Sequence, residues 1–315
     1  MDPIKVGVIG VGSLGQHHAR VYAELPEASL VAVADTKPAR AAEIAGRHGC
    51  LALTDFRALL GQVEAVSVVV PTLRHHAITR ECLEAGLHVL VEKPLAATVQ
   101  EAHDLTTLAS NRGLVLQVGH IERFNSAVRA TMGAVKVPTL IECRRWAPFT
   151  PRGADVDVVL DLMIHDLDVA LALVDAPIRA VQAHGVSIVS PTTDVAHARV
   201  VFHNGCAATF SANRLAESKV REIRVFEPAS YLVVDLVQQT AVIGRRAMGT
   251  SGSPQVLTEL VRGDGQEPLK LELEAFLKAV GTGTPPLVSG QDGTAALELA
   301  YAIIDEIATD SHRHR

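Results

Sequence analysis

Three residues of the segment VVLDLMIHDLDVAL have the types and spacing for acid–base chemistry: Asp161, His165 and Asp168. Because they are four and three positions apart, a helix would place all three on one face. A histidine flanked by carboxylates is held in one tautomer and made more basic, as a proton acceptor near neutral pH requires. A buried histidine satisfied by a neighbour and a metal site are the alternatives. Metal is the weakest of these, because no cysteine or second histidine has compatible spacing, and we expect no metal.

A lysine supplies the second chemical group. Glu92-Lys93-Pro94 follows the apolar run HVLV, at what would be the carboxyl end of a parallel strand, where doubly wound sheets bind their ligands. A fixed cation at this edge can polarise a substrate oxygen and stabilise developing alkoxide character. A surface lysine beside a turn proline is the alternative.

The run VIGVGSLGQHHA predicts a dinucleotide site. It places Gly10, Gly12 and Gly15 in a GxGxxG spacing between an apolar run and a helical pattern. The first glycine makes a tight turn, the second lets the backbone approach a pyrophosphate, and the third allows close helix–strand packing. The helix N-terminus then offers N–H groups and a positive dipole end to the phosphates. A plain tight turn is the alternative.

Asp35 closes the next apolar run, LVAVAD. A carboxylate there accepts hydrogen bonds from the adenosine ribose and repels a 2′-phosphate, which favours NAD over NADP. Lys37 and Arg40 are close enough in sequence to soften that preference. The alternative is that Asp35 caps the helix after Pro38, a role that is compatible with ribose binding.

Two patterns of elements must position these groups. Up to about residue 120, strands alternate with helices, as in a parallel doubly wound sheet: strands 4–9, 30–34, 66–70, 88–91 and 114–118, and helices 14–25, 39–48, 75–85 and 99–111. Beyond Gly119, strands follow one another: 140–145, 180–189, 196–202, 207–213, 222–226, 231–236 and 240–244. Helices are predicted at 125–132, 156–174, 269–280 and 294–309. Asn204-Gly205 indicates a type I′ hairpin turn.

The predicted fold class is therefore α/β: an N-terminal Rossmann doubly wound parallel sheet plus a C-terminal α+β domain with an open, mostly antiparallel sheet. The predicted division is residues 1–120 for dinucleotide binding and 121–315 for substrate binding and oligomerisation.

Composition argues against several classes of function. The net charge of −6 gives no basic field for nucleic acid or an anionic membrane. The four cysteines form no CxxC pair, so neither a zinc site nor a disulfide framework is indicated. The start of the sequence has no secretory pattern, and no uncharged apolar run approaches the roughly 20 residues of a membrane span. We expect a cytoplasmic protein.

The motifs together resemble the Gfo/Idh/MocA oxidoreductases over essentially the whole chain. They are GVGSLGQHHA, Ala34-Asp35, EKPLA at 92–96 and the DxxxHxxD helix, in that order. The resemblance implies hydride transfer between a sugar or polyol carbon and the nicotinamide of NAD. It implies that Lys93 contacts both substrate and cofactor. It also implies that His165 is the general base and that Asp161 orients it, with Asp168 as a substrate or structural contact.

On this basis we assign two sets of site residues. The predicted cofactor contacts are Gly10, Gly12, Ser13, Leu14, Gly15, Asp35, Pro71, Thr72, His75, Glu92 and Lys93. The predicted substrate contacts are Lys93, Arg123, Asn125, Arg152, Asp161, His165 and Asp168. Arg123 and Asn125 enter the second set because they lie where the two predicted domains join in the sequence.

Within the family, GHIERFN, RRWAPFTPRG and the helix DLMIHDLD are most similar to bacterial dehydrogenases that oxidise the 3-hydroxyl of UDP-N-acetylglucosamine, for amino-sugar and lipid A precursor synthesis. Cations and flat apolar faces in this region suit a diphosphate and a uracil ring: Arg144, Arg145, Arg152, Trp146 and Phe149. A solvated loop and an ordinary strand are the alternative.

Other functions within the family stay open: an inositol or free-sugar dehydrogenase, an NAD-dependent glycosidase, or an NAD-binding regulatory protein. The last is expected to lack the chemical groups present here. Because family members pair the sheets of their second domains, the resemblance also implies a homodimer or homotetramer.

Overall fold

The computed structural model describes residues 2–151, 153–249 and 253–313. The chain divides into two units. The first comprises Met1–Ile121 and Glu267–Thr294, and the second comprises Glu122–Gln266 and Ala295–Arg315. No helix in the described ranges is both long enough and apolar enough to span a membrane.

The strands, in chain order, are β1 Ile4–Ile9, β2 Ala28–Ala34, β3 Leu51–Leu53, β4 Ala65–Val68, β5 His88–Glu92, β6 Leu116–Gly119, β7 Leu140–Trp146, β8 Ile178–Val186, β9 Val195–Phe202, β10 Ala207–Asn213, β11 Val220–Glu227, β12 Ser230–Asp235, β13 Thr240–Met248 and β14 Pro254–Arg262. The α-helices are α1 Gly15–Glu24, α2 Pro38–His48, α3 His75–Glu84, α4 Val99–Arg112, α5 Ser126–Met132, α6 Ile164–Leu173, α7 Pro268–Thr282 and α8 Gly290–Arg313.

The first unit is built on a parallel sheet with the order β3-β2-β1-β4-β5-β6. Strand order reverses between β1 and β4, which is the switch point where open α/β sheets bind ligands at the carboxyl ends of their strands. The predicted doubly wound sheet is confirmed. The short edge strand β3 was not predicted.

A late segment of the chain completes the core of this unit. Leu273 and Phe276 of α7 are fully buried in the same apolar cluster as Val6 and Tyr22. The sequence division placed this segment in the second domain. The structure groups it with the first unit, because the apolar face of α7 is buried against β1 and α1.

The second unit carries a sheet of order β14-β13-β12-β11-β7-β10-β9-β8. All its neighbouring pairs are antiparallel except β7 with β10. The predicted open, mostly antiparallel sheet is therefore confirmed. Strand β14 was missed because its side chains are almost all exposed, so it lacks the alternation of buried and exposed positions that identifies a half-buried strand.

The turn between β9 and β10 differs from the prediction. A type I′ turn needs positive φ at both central residues, whereas positive φ occurs at Gly205 (90°) and not at Asn204. The Gly205 N–H donates to the Phe202 carbonyl at 3.0 Å, and Asn204 Oδ1 accepts from the Cys206 N–H at 3.0 Å. The predicted type I′ turn is wrong. The connection is a tight turn followed by a left-handed glycine, the arrangement of a three-residue hairpin loop.

The predicted long helix 156–174 is interrupted in its winding. Val159–Met163 form a π-helical turn, and regular α-helix begins only at Ile164. Such wide turns are uncommon and often occur at functional sites. Here the turn contains Asp161, and α6 contains His165.

Candidate active site

Two of the three loop glycines are required by the fold itself. Gly10 has φ of 85°, and a Cβ there would lie 2.6 Å from the Val69 carbonyl oxygen. A Cβ on Gly15 would lie 1.8 Å from the Gly10 carbonyl oxygen. Any side chain at either position would displace the backbone of the loop.

Gly12 is different. It is exposed, and a Cβ there would meet no protein atom within 4 Å. The open space lies at the N-terminus of α1, whose first turn carries no acidic residue. Close approach of a pyrophosphate accounts for a glycine at this position, so the loop fits the phosphates of a dinucleotide.

Asp35 lies beside this loop. One of its carboxylate oxygens accepts from the Val11 N–H at 3.0 Å and the other from the Lys37 N–H at 2.9 Å. Helix α2 begins after Lys37 without a side-chain cap, so the alternative role of Asp35 as the helix cap is wrong. Arg40 donates through Nε to the Val11 carbonyl at 2.7 Å and through Nη2 to Gln16 at 2.8 Å.

The turn that carries Lys93 is held by buried groups. His18 is almost fully buried, and its Nε2 lies 3.2 Å from Glu92 Oε1. Burial alone would raise the pKa of Glu92, but the hydrogen bond and charge of His18, with the charge of Lys93, hold that pKa below its usual value. A carboxylate is thereby placed beside the half-buried Lys93.

His75 has a positioning role in the structure. Its ring is buried, with Nδ1 2.8 Å from the Pro94 carbonyl oxygen and Nε2 2.9 Å from that of Val70. Burial lowers the pKa of His75. Because both nitrogens face backbone carbonyls, the assignment of this side chain to the cofactor is corrected. The exposed Pro71 and the half-buried Thr72, which follow Val70, stay predicted contacts.

Of the remaining predicted cofactor contacts, Ser13 and Leu14 are accessible to a ligand, whereas the carboxylate of Glu92 is engaged by the protein. Ser13 and Leu14 are exposed in the glycine loop, where a ligand can reach them. Glu92 uses its carboxylate on His18 and on the Lys93 N–H, at 3.2 Å each. We therefore assign Glu92 to holding the Lys93 turn.

In the second unit, Asp161 and His165 are both half-exposed, as an acid–base pair requires. Asp161 Oδ2 lies 3.7 Å from the position that a Cβ on Gly153 would take. Asp168, by contrast, is buried, and its Oδ1 lies 3.7 Å from Arg123 Nη1. The expectation of a single helix face depended on regular α-helical spacing, and the π turn at Val159–Met163 changes the winding between Asp161 and His165. Asp168 follows His165 within the regular helix α6, but its carboxylate is buried beside Arg123.

Two other predicted substrate contacts are engaged internally. Arg123 is 8% exposed and pairs with Asp168. Asn125 is 2% exposed. It caps α5 by accepting from the Ala127 N–H at 3.1 Å, and it donates to the Leu236 carbonyl at 2.9 Å. These assignments are corrected, since neither side chain is open to a sugar hydroxyl. Arg152 lies outside the described residues.

A buried ionic network that the sequence did not predict supports the helix of His165. Arg145, 1% exposed, donates to Asp166 through Nε at 3.1 Å and through Nη2 at 2.6 Å. Its Nη1 donates to Glu122 Oε1 at 2.8 Å. Although burial opposes it, the charges of Arg145 and Arg221 hold the pKa of Glu122 below its usual value. The predicted diphosphate role of Arg145 is therefore wrong.

The sequence contained a signal for the burial of Arg145. It lies at alternate positions along β7 with Ile141 and Cys143, which point to the same buried face of the strand.

Arg144 and Trp146 point to the other face of the sheet, because side chains alternate along β7. α6 packs on β7 and β10 from the side of Arg145. The exposed Arg144 instead lies with its guanidinium 5.9 Å from the centre of the Trp146 ring, and Trp146 Nε1 donates to Ser211 at 2.9 Å. Arg144 and Trp146 therefore lie on the sheet face opposite to α6, which argues against their predicted role beside a diphosphate and a uracil ring.

Comparison with known proteins agrees with both units. An oxidoreductase family with an NAD-binding Rossmann fold matches residues 4–120, and the Gfo/Idh/MocA C-terminal domain matches residues 117–227. The chain belongs to the Gfo/Idh/MocA oxidoreductase family. This confirms the family predicted from the motifs, and it confirms an oxidoreductase that binds NAD(H).

Among Gfo/Idh/MocA members, the chain is 39% identical over 308 residues to UDP-N-acetylglucosamine 3-dehydrogenase of Acidithiobacillus ferrooxidans, covering 96% of this chain and 97% of the relative. A solved structure of that enzyme has a TM-score of 0.91, with 98% of each chain covered. Myo-inositol 2-dehydrogenase of Thermotoga maritima is 29% identical over 318 residues, with 95% of each chain covered.

A metal centre has no geometric basis in the described part of the chain. Among residues 2–151, 153–249 and 253–313, no three histidine, cysteine, aspartate or glutamate side chains converge in a way that would hold a metal ion.

Substitutions in the glycine loop should separate the fold from ligand binding. Gly12→Ala should leave the Tm of the apo protein unchanged and raise the Kd for NADH about tenfold or more, because the added methyl occupies the pyrophosphate position. Gly15→Ala should lower the Tm, since its Cβ collides with the Gly10 carbonyl. Thermal melts and NADH fluorescence titrations measure both effects.

Gly46→Ala is the matched control, because this α2 glycine also has open space around its Cβ position. It should keep NADH affinity and stabilise the helix by up to about 1 kcal/mol. Unchanged NADH affinity in Gly12→Ala would contradict the pyrophosphate assignment.

Removing the central cation of the buried network should be costly. Arg145→Met should reduce the free energy of unfolding by about 3–5 kcal/mol, because Asp166 and Glu122 would remain buried without their partner. Urea unfolding followed by circular dichroism measures this loss. Arg144→Met, on the adjacent exposed position, should change stability by less than about 0.5 kcal/mol. Equal losses in the two variants would refute the network's role.

Proposed function

We propose that this protein is an NAD-dependent dehydrogenase that oxidises the 3-hydroxyl of UDP-N-acetylglucosamine. The observation that carries the proposal is the near full-length similarity, at 39% identity, to an enzyme with that name. The half-exposed Asp161 and His165 and the half-buried Lys93 support it, since they are groups that a hydride-transfer reaction needs. The prediction of a role in lipid A precursor synthesis depends on this substrate.

The residues have distinct proposed roles. NAD bound at the glycine loop would supply the acceptor for the hydride of the C3–H bond. His165 accepts the proton of the 3-hydroxyl, so that the carbon becomes a ketone and charge balances. Asp161 orients the imidazole and stabilises its protonated form. Lys93 contributes positive charge where alkoxide character develops on the substrate oxygen.

We also propose a preference for NAD over NADP. Asp35 presents a half-buried carboxylate beside the glycine loop, where it would accept from ribose hydroxyls and repel a 2′-phosphate. Arg40 is a cation that donates to the glycine loop. Its guanidinium already contacts the Val11 carbonyl, Gln16 and Glu43. Its charge is therefore partly satisfied by the protein.

A second candidate is a cyclic polyol dehydrogenase. The 29% identity to a myo-inositol 2-dehydrogenase over 95% of the chain favours it over a glycosidase or a regulatory protein. The same acid–base pair would serve that reaction, so the substrate distinguishes the two candidates. The homodimer or homotetramer and the cytoplasmic location remain predictions from the sequence.

A substrate panel tests the proposal directly. Purified protein with NAD should form NADH with UDP-N-acetylglucosamine, and not with free N-acetylglucosamine, UDP-glucose or myo-inositol. NADH absorbance is followed with a trap for the keto product, and product analysis identifies the oxidised carbon. Replacing NAD with NADP should lower kcat/KM at least tenfold. NADH formed only with myo-inositol would replace the first candidate with the second.

The general base has its own test. His165→Ala should reduce kcat by about 10²–10⁴-fold, because the transition state loses its proton acceptor, while the Kd for NADH stays within twofold. His203→Ala, in the exposed turn of the same unit, is the control and should retain full turnover. Turnover of His165→Ala at the wild-type rate would remove His165 from the mechanism.

A further inference from the structure

Two cations at the amino end of β11 belong to none of the roles assigned so far. Arg221 faces Arg145 across the β7–β11 pairing, and Lys219 precedes it by two residues. Arg221 Nη1 lies 3.2 Å from Glu122 Oε1. Its side chain remains 35% exposed, and Lys219 is exposed. Arg221 is therefore the solvent-exposed member of an otherwise buried ionic network.

Two of the three guanidinium nitrogens of Arg221 are available to a ligand. Its Nη1 donates to Glu122, and within the described ranges its Nε and Nη2 meet no protein acceptor. A guanidinium fixed at one nitrogen and open at the others is suited to bidentate recognition of a phosphate. Lys219 likewise forms no ion pair with any described residue.

The carboxylates that form ion pairs with Arg145 and Arg221 are Glu122 and Asp166. Lys219 has no such partner among the described residues, so its charge is left exposed beside that of Arg221. The positive charge of Arg221 is the main cause that lowers the pKa of Lys219. The two cations are therefore near enough to repel each other. An anionic ligand would relieve this repulsion.

These cations lie at the end of the second unit that carries the acid–base pair. The loop before β11 is joined to the loop after β7, because Arg214 donates to the Gly153 carbonyl at 3.1 Å and the Ala216 N–H to that of Ala147 at 3.2 Å. A Cβ placed on Gly153 would in turn lie 3.7 Å from Asp161 Oδ2, so this loop runs close to the Asp161 carboxylate. The charge of Asp161 is also among those that act on the pKa of Arg221.

We propose that Lys219 and Arg221 bind the diphosphate of a nucleotide-sugar substrate, on the sheet face that carries Arg145. The proposal rests on the proposed function, in which the substrate carries a diphosphate next to the sugar that is oxidised. It moves the diphosphate contact away from Arg144, which lies on the opposite face. A neutral polyol gains nothing from these two cations, so they would select for nucleotide sugars.

UDP binding tests this subsite without turnover. Isothermal titration calorimetry of the NAD-saturated protein keeps UDP out of the cofactor position. Lys219→Gln and Arg221→Lys should each raise the Kd for UDP at least tenfold. Both should also raise the KM for UDP-N-acetylglucosamine while kcat stays within about twofold. Arg221→Lys retains a charge opposite the buried Glu122, which preserves the fold, and a thermal melt verifies this.

Arg224→Gln is the matched control. Arg224 lies on the same strand, has the same 35% side-chain exposure and also pairs with one glutamate, but it faces the other side of the sheet. It should leave the Kd for UDP and the KM unchanged.

The outcomes separate the two proposals. UDP affinity within twofold of wild type in both folded variants, or no UDP binding by the wild type, overturns the subsite. A wild type that binds UDP through Lys219 and Arg221 but forms no NADH with UDP-N-acetylglucosamine overturns the proposed function and leaves the diphosphate subsite in place.

Discussion

The guanidinium of Arg145, enclosed between Asp166 and Glu122, is the interaction on which the second unit depends. Burying an ion costs on the order of several kcal/mol unless partners with good geometry compensate. Here a single side chain satisfies two carboxylates with hydrogen bonds of 2.6–3.1 Å. It ties β7 to the residue immediately after His165. That helix cannot slide along the sheet without leaving a charge buried and unpaired, so the network fixes the position of the candidate base.

The first unit separates residues that the fold requires from residues that a ligand requires. Gly10 and Gly15 are dictated by the chain's own atoms, whereas nothing in the described protein dictates a glycine at position 12. His75 and His18 show a similar division. Both are buried and hold the Lys93 turn through Pro94 and Glu92, while Lys93 itself stays partly accessible. Rigid, buried supports behind an accessible functional group are what a preorganised site needs.

Local sequence patterns were sufficient for the two sheets, the glycine loop and the residues that follow the strands, because these features depend on near neighbours and on periodicity. They were not sufficient for the partners of polar side chains. Asn125 is 111 residues from Leu236, and Arg145 is 21 residues from Asp166, so no spacing rule connects them. The assignment of Arg123 and Asn125 to the substrate failed for this reason. The π turn was missed for a different reason, because the residues of this segment are equally compatible with a regular α-helix.

The return of α7 to the first unit has a consequence for synthesis on the ribosome. The chain leaves the nucleotide-binding unit after Ile121, builds most of the second unit, and comes back at Glu267. Until Leu273 and Phe276 emerge, the apolar surface that they cover around Tyr22 and Val6 has no partner. All eight described strands of the second unit's sheet are thus translated before the core of the first unit can close. Although its first segment precedes the second unit, the cofactor-binding unit completes its core only after the second unit's sheet has been translated.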